Sequence, residues 1–184
     1  MLAAWVATSL LNLLVSLSAQ GADGITHLNL QTIGRGPASI SVSQTRATVV
    51  VFISTDCPMS MDYGIRIGKL AEAYSNRSVQ VILVASNSNE TDVDVEKFRQ
   101  ALKVATPVYR DHHATVAGLL SVVATPTAVV LDSAGTIRYK GNIDDSRNPA
   151  KVKQHFVQAA VDAVLSGQPV QVQHTRVLGC SIKR

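Results

Sequence analysis

The sequence predicts an α/β domain, a mixed central β-sheet flanked by helices on both faces. Three observations carry that prediction. Residues 48–54 are a continuous run of mostly β-branched and aromatic side chains, and a helical pattern starts directly after it. A run without polar alternation marks a strand buried on both faces. Residues 79–85 are a second such run, again followed by a helical pattern. Residues 127–131 and 136–139, split by Ser133-Ala134-Gly135, read as an antiparallel hairpin, and a long helical pattern comes behind it. Strands alternating with helices, closed by a hairpin and a helix, build a sheet with helical layers.

The remaining elements follow in order. Residues 25–30 alternate apolar and polar, which predicts an early edge strand. Gly34-Arg35-Gly36-Pro37 is a turn. The first helix, 59–74, sets Tyr63, Ile67, Leu70 and Tyr74 at helical spacing. Ser86-Asn87-Ser88-Asn89 is a polar turn and cap before an amphipathic helix over 93–102, with Val95, Phe98 and Leu102 on one face. Residues 106–109 form a short strand and 115–120 a short helix. The last long helix runs over 150–165 and is ended by Gly167 and Pro169. The tail beyond carries Val170, Val172, Val177, Leu178 and Ile182, so parts of it are expected to pack.

A chain of 184 residues fits one domain with a substantial core. Aromatics are only 4% of it, so the core must be aliphatic. The 17 basic and 13 acidic residues leave a net charge of +4, with no basic stripe and little aromatic interleaving. Nucleic-acid binding therefore has no support. Residues 2–17 are apolar apart from Thr8, Ser9, Asn12 and Ser16, and small residues, Ser18-Ala19-Gln20-Gly21-Ala22, follow. The run is short for a membrane span and reads as a secretory signal peptide cut after Ala19. It has no Lys or Arg ahead of it, so retention as an N-terminal anchor stays open. The expected division is a signal peptide over 1–19, a lead over 20–45, the main domain over 46–168 and a tail over 169–184. An export signal implies an oxidising compartment, where the two cysteines, Cys57 and Cys180, can pair.

Cys57 stands where the buried strand ends and the first helix begins, and Pro58 follows it. Four N–H groups lack partners at a helix N-terminus, and the helix dipole is positive there. Both favour thiolate over thiol, and the thiolate is the nucleophile. Proline suits the first helical turn, where its missing N–H costs nothing. An inert buried cysteine is the competing reading, but burial alone does not account for the strand–Cys-Pro–helix arrangement. Asp56, beside the cysteine, is expected to oppose the dipole and raise the Cys57 pKa.

These residues resemble the active-site turn of the thioredoxin-like superfamily, in its redoxin or peroxiredoxin-like (AhpC/TSA-type) branch. Ala124-Thr125-Pro126-Thr127, ahead of Ala128-Val129-Val130-Leu131-Asp132, is similar to the family's cis-proline loop and next strand. Val108-Tyr109-Arg110-Asp111 before a short helix matches its layout. The likeness runs over residues 48–167. It implies a thioredoxin-like fold and thiol–disulfide or peroxide chemistry at Cys57, with no cofactor. It also implies a cis Thr125–Pro126 bond that sets Thr125 against the sulfur, where an extended substrate strand can pair with it. The partners implied are protein thiols or disulfides, or a peroxide, and an external thiol reductant. The ending Leu178-Gly179-Cys180-Ser181-Ile182-Lys183 resembles a Gly-Cys-x-Ile ending of exported redoxin-like proteins.

The chain departs from the family at several positions. Ser60 replaces the second cysteine of a Cys-x-x-Cys pair, so a second thiol must come from Cys180 or from outside. The Ser60 hydroxyl either hydrogen-bonds the Cys57 thiolate or fills the first helical turn. In the peroxiredoxin pattern Pro-x-x-x-Thr-x-x-Cys, Ser54 supplies the hydroxyl but Val50 holds the proline position. Three readings follow: a thiol–disulfide oxidoreductase, a thiol peroxidase using Ser54, and a binding module stapled by a Cys57–Cys180 disulfide. His112-His113 is read as a surface loop, and Cys57, Met59 and Met61 as poor grounds for copper. Asp144-Asp145 reads as a solvated turn.

Overall fold

A computed structural model describes residues 24–184. The stretch read from the sequence as a signal peptide, 1–19, lies outside the described residues. The elements are β1 (His27–Thr32), β2 (Gly36–Ser41), β3 (Ala47–Ile53), α1 (Pro58–Tyr74), β4 (Val79–Ala85), α2 (Asp92–Leu102), β5 (Val108–Arg110), α3 (Thr115–Leu119), β6 (Ala124–Thr125), β7 (Thr127–Asp132), β8 (Ile137–Gly141), α4 (Phe156–Leu165) and β9 (Cys180–Ser181). Seven strands form one sheet in the order β2-β1-β5-β4-β3-β7-β8, and β6 pairs separately with β9. β3, β4 and β5 run parallel, while β7 runs antiparallel to β3 and β8 antiparallel to β7.

The continuous apolar run of β3 is explained by helical layers on both faces. Every residue of β3 is buried. Val49, Val51 and Ile53 face Tyr63 and Ile67 of α1, Val95 and Phe98 of α2, and Val157 and Val161 of α4. Val50 and Phe52 face the opposite way, into a cluster with Leu28, Val116, Leu120 and Ile182. The alternation follows from the two-residue period of a strand. Cys57 follows the end of this inner strand, where the chain turns into α1.

The structure corrects several expectations. β1 is no edge strand: it pairs with β2 on one side and β5 on the other, which leaves β2 at the rim. The last helix does not begin at residue 150. Pro149–Lys151 form one 3-10 turn, and α4 starts only at Phe156. The residues between dock on the preceding loop, where Lys153 N–H donates to Asp145 Oδ1 at 2.9 Å and Asp145 N–H to the Gln154 carbonyl at 3.1 Å. Those bonds compete with helix formation. The cap of α2 is Thr91, in a reciprocal capping box with Asp94, and not the Ser86–Asn89 turn. Asp144 is buried rather than solvated, because Arg66 of α1 holds it at 2.5 Å and Tyr63 Oη donates to it at 3.2 Å. In the tail, Val170 and Ile182 are buried while Val172 and Leu178 stay exposed.

Candidate active site

The turn Thr55-Asp56 carries the chain from β3 into α1, and Cys57 is the residue that precedes the first helical turn. Its backbone is extended, and Pro58 occupies the first position of the helix. Cys57 is 1% exposed. Burial pushes the Cys57 thiol up, but the Cys180 thiol and the backbone N–H groups of Ser60, Met59 and Cys180 face the sulfur and together bring its pKa below the ordinary value. The Cys180 thiol contributes most to that lowering, and the N–H groups of Ser60 and Met59 at the helix N-terminus add to it. Asp56 has no part in it. Its carboxylate accepts from Asn89 Nδ2 at 2.9 Å and from Lys183 Nζ at 3.0 Å, and these partners draw its own pKa down. The expectation that Asp56 would raise Cys57 fails because its charge is already answered at the surface.

Thr125–Pro126 is cis, and the Thr125 carbonyl stands 3.3 Å from Cys57 Sγ, where it accepts from the thiol. Against Thr125 lies the tail. β9 runs antiparallel to β6, with Cys180 opposite Thr125 and Ser181 opposite Ala124. Thr125 Oγ1 donates to the Cys180 carbonyl at 3.4 Å. This closeness needs Gly179, since a β-carbon there would collide with the Thr125 carbonyl. Cys180 is half-buried and its thiol pKa is pushed up to about 11, first by its hydrogen bond to Cys57, then by burial and by the charge on Cys57. The pair therefore shares its protons unequally: the first to leave comes from Cys57.

Ser60 and Ser54 are both present at the turn but face inward. Ser60 Oγ accepts from Ser54 N–H at 3.1 Å, so its hydroxyl fills the turn, and it is the Ser60 backbone N–H that serves the sulfur. Ser54 Oγ accepts from Asn87 Nδ2 at 2.8 Å and Asp56 N–H at 3.2 Å, and the side chain is buried. The structure thus brings Cys57, Cys180, Thr125 and Pro126 together and commits the hydroxyls of Ser54 and Ser60 to the loop.

Sequence reasoning missed the group that holds this loop. Asn87, read as part of a polar turn, is buried and joins Ser54 to the tail, because its Oδ1 accepts from Lys183 N–H at 2.9 Å. Glu90, also buried, accepts from Thr55 N–H at 2.7 Å and from Asn87 Nδ2 at 3.1 Å. Arg110 pairs with Glu90 at 3.5 Å and with Asp92 at 3.3 Å. Arg110 also donates to the Glu90 carbonyl at 2.7 Å, so the buried charge is paired, although its Nε has no hydrogen-bond partner. The only sequence signal was Arg110-Asp111 at the end of a buried strand, where charges are rare. Among the described residues no cluster of His, Cys, Asp and Glu could hold a metal, and His112 and His113 lie exposed.

The model of the AhpC/TSA family matches residues 23–140. No curated protein sequence matches the chain. Two solved structures are similar at moderate identity. An uncharacterized conserved protein from Geobacillus kaustophilus is 28% identical, with a TM-score of 0.77, covering 86% of this chain and 88% of that one. A hypothetical protein from Sinorhizobium meliloti is 27% identical, with a TM-score of 0.75, covering 85% and 90%. A secreted Mycobacterium tuberculosis disulfide oxidoreductase homologous to E. coli DsbE shares the fold at 15% identity, with a TM-score of 0.54 over 76% of this chain and 95% of that one. With the fold and the Cys-Pro turn, these matches place the chain in the AhpC/TSA family, within the redoxin branch of the thioredoxin-like superfamily.

Proposed function

We propose that the protein is an exported thiol–disulfide oxidoreductase in which Cys57 is the nucleophile and Cys180 the resolving thiol. The observation that carries this reading is the pairing of Cys180 with Thr125, which sets the second thiol against the first. Export is supported by the composition of residues 1–19.

The Cys57 thiolate attacks one sulfur of a client disulfide. The S–S bond breaks, the second client sulfur leaves with the electron pair and takes a proton, and a mixed disulfide remains on Cys57. That step removes the negative charge and the hydrogen bond that held the proton on Cys180. Cys180 then ionises more readily and attacks Cys57 Sγ, and the client's first sulfur leaves. The client disulfide has gained two electrons and the pair has lost two, as a Cys57–Cys180 disulfide. An external thiol reduces that disulfide and closes the cycle.

The family match favours a second reading on the same residues. A peroxide would oxidise Cys57 to the sulfenic acid, and Cys180 would condense with it, releasing water and forming the same disulfide. Ser54 supports this reading poorly, since its lone pairs accept from Asn87 and Asp56.

The test is turnover of a disulfide-linked fluorescent peptide with a dithiol reductant. Cys57→Ser should abolish turnover. Cys180→Ser should lower it by ~10-fold or more and leave a trapped mixed disulfide on Cys57. Turnover unaffected by Cys57→Ser overturns the proposal. Faster consumption of hydrogen peroxide than of any disulfide moves the assignment to the peroxidase.

A further inference from the structure

The tail blocks the site it completes. Cys57 is 1% exposed beneath it, so no client sulfur reaches Cys57 while the tail is docked. The tail is held by bonds that any extended peptide could make. Ile182 N–H donates to the Val123 carbonyl at 2.9 Å, Lys183 N–H to Asn87 Oδ1 at 2.9 Å, and Ser88 N–H to the Lys183 carbonyl at 2.8 Å. Among the described residues β6 has β9 as its only strand partner, so departure of the tail leaves an open strand edge beside the nucleophile. The tail also has a place to swing from. Thr175 and Arg176 are tied to Lys140, Tyr139 and Asn142, whereas Leu178 and Gly179 are exposed.

The side chains of the tail read out a register. Cys180 faces Cys57, Ser181 points to solvent, Ile182 is buried in the cluster of Val116, Leu120 and Val122, and Lys183 Nζ lies 3.0 Å from Asp56. We propose that the tail is a built-in competitor for the client strand expected beside Thr125, and that the groove it fills selects a client with an aliphatic residue two positions after its cysteine and a basic residue after that. The proposal rests on the oxidoreductase reading and adds a substrate class to it. Client and tail then occupy one groove in succession: the client while Cys57 attacks it, the tail when Cys180 resolves the mixed disulfide. Backbone pairing supplies affinity and alternate side chains supply selectivity, as in other strand additions.

The test uses full-length chain carrying Cys180→Ser and peptides whose cysteine is activated as a mixed disulfide with thionitrobenzoate. Release of thionitrobenzoate measures attack by Cys57. A Gly-Cys-Ser-Ile-Lys peptide should react ~10-fold or more faster than its Ile→Asp form, because an aliphatic side chain is withdrawn from water. It should react about three-fold faster than its Lys→Glu form, and Asp56→Lys in the protein should reverse that order. Ile182→Ser in the tail should speed all the peptides by freeing the groove. Equal rates for every peptide, with brisk attack on a small aromatic disulfide, overturn the peptide site while leaving the nucleophile in place. No attack on any disulfide overturns the oxidoreductase reading itself. A concentration-dependent dimer with exchanged tails assigns the groove to a second copy and overturns the client proposal.

Discussion

A single sulfur shows how far residue types alone can be read. Cys57 stands out in the sequence as a candidate nucleophile because it follows a buried strand and precedes a Pro-started helix, and the structure places it at that helix N-terminus. The effect of Asp56 was not legible, because its partners, Asn89 and Lys183, come from distant parts of the chain. The pKa directions give a signed prediction. A lowered Cys57 pKa means its thiolate is present below the ordinary thiol range, so iodoacetamide labelling should rise with pH to a midpoint below about 8.5. Cys180 should label only toward pH 11, and faster once Cys57 is blocked. A Cys57 midpoint at or above the free value would contradict the lowering by the Cys180 thiol and the helix-terminal N–H groups. Ser60 separates backbone from side chain. Ser60→Ala should leave that midpoint nearly unchanged, since the N–H remains. It should cost about 1–3 kcal/mol in urea unfolding, since Ser54 N–H loses a buried acceptor.

At the scale of elements, the strands and helices with a strong apolar period were legible, and those shaped by long-range docking were not. β3, β4 and α2 appear nearly where periodicity puts them. The break before α4 and the burial of Asp144 depend on partners that local pattern does not reveal. The tail was legible as a segment with apolar residues, the second cysteine and a Gly-Cys-x-Ile ending, but not as a strand. Its strand pairing depends on Gly179, whose role is a close approach to Thr125 that no local signal marks. Gly179→Ala should therefore undock the tail without unfolding the domain. The rate of Cys57–Cys180 disulfide formation should fall by ~10-fold or more, with the main unfolding transition retained, because effective concentration is lost when the geometry is blocked. Unchanged disulfide formation in that variant would show that the strand pairing does not bring the sulfurs together.

For the whole molecule, the fold was legible from the order of elements, and both cysteines of the candidate site were named from the sequence, but how the tail reaches Cys57 was not. Cys57, with Thr125 and Pro126, lies within the domain and came with the family likeness. The placement of Cys180, named in the sequence as the candidate second thiol, follows from which residues the tail docks against, and the Asn87–Lys183 contact is part of that docking. Joining the two cysteines covalently closes a loop of more than a hundred residues. Oxidation should then stabilise the protein by up to ~4.7 kcal/mol in the chain-entropy treatment, seen as a higher Tm that a reductant reverses. The central claim is that Cys57 and Cys180 form one redox pair, and non-reducing peptide mapping of the mildly oxidised full-length protein tests it most directly. The account predicts a single linked peptide pair containing Cys57 and Cys180, lost on reduction and regained on reoxidation. Two free thiols, or a dimer linked through Cys180 alone, would contradict it.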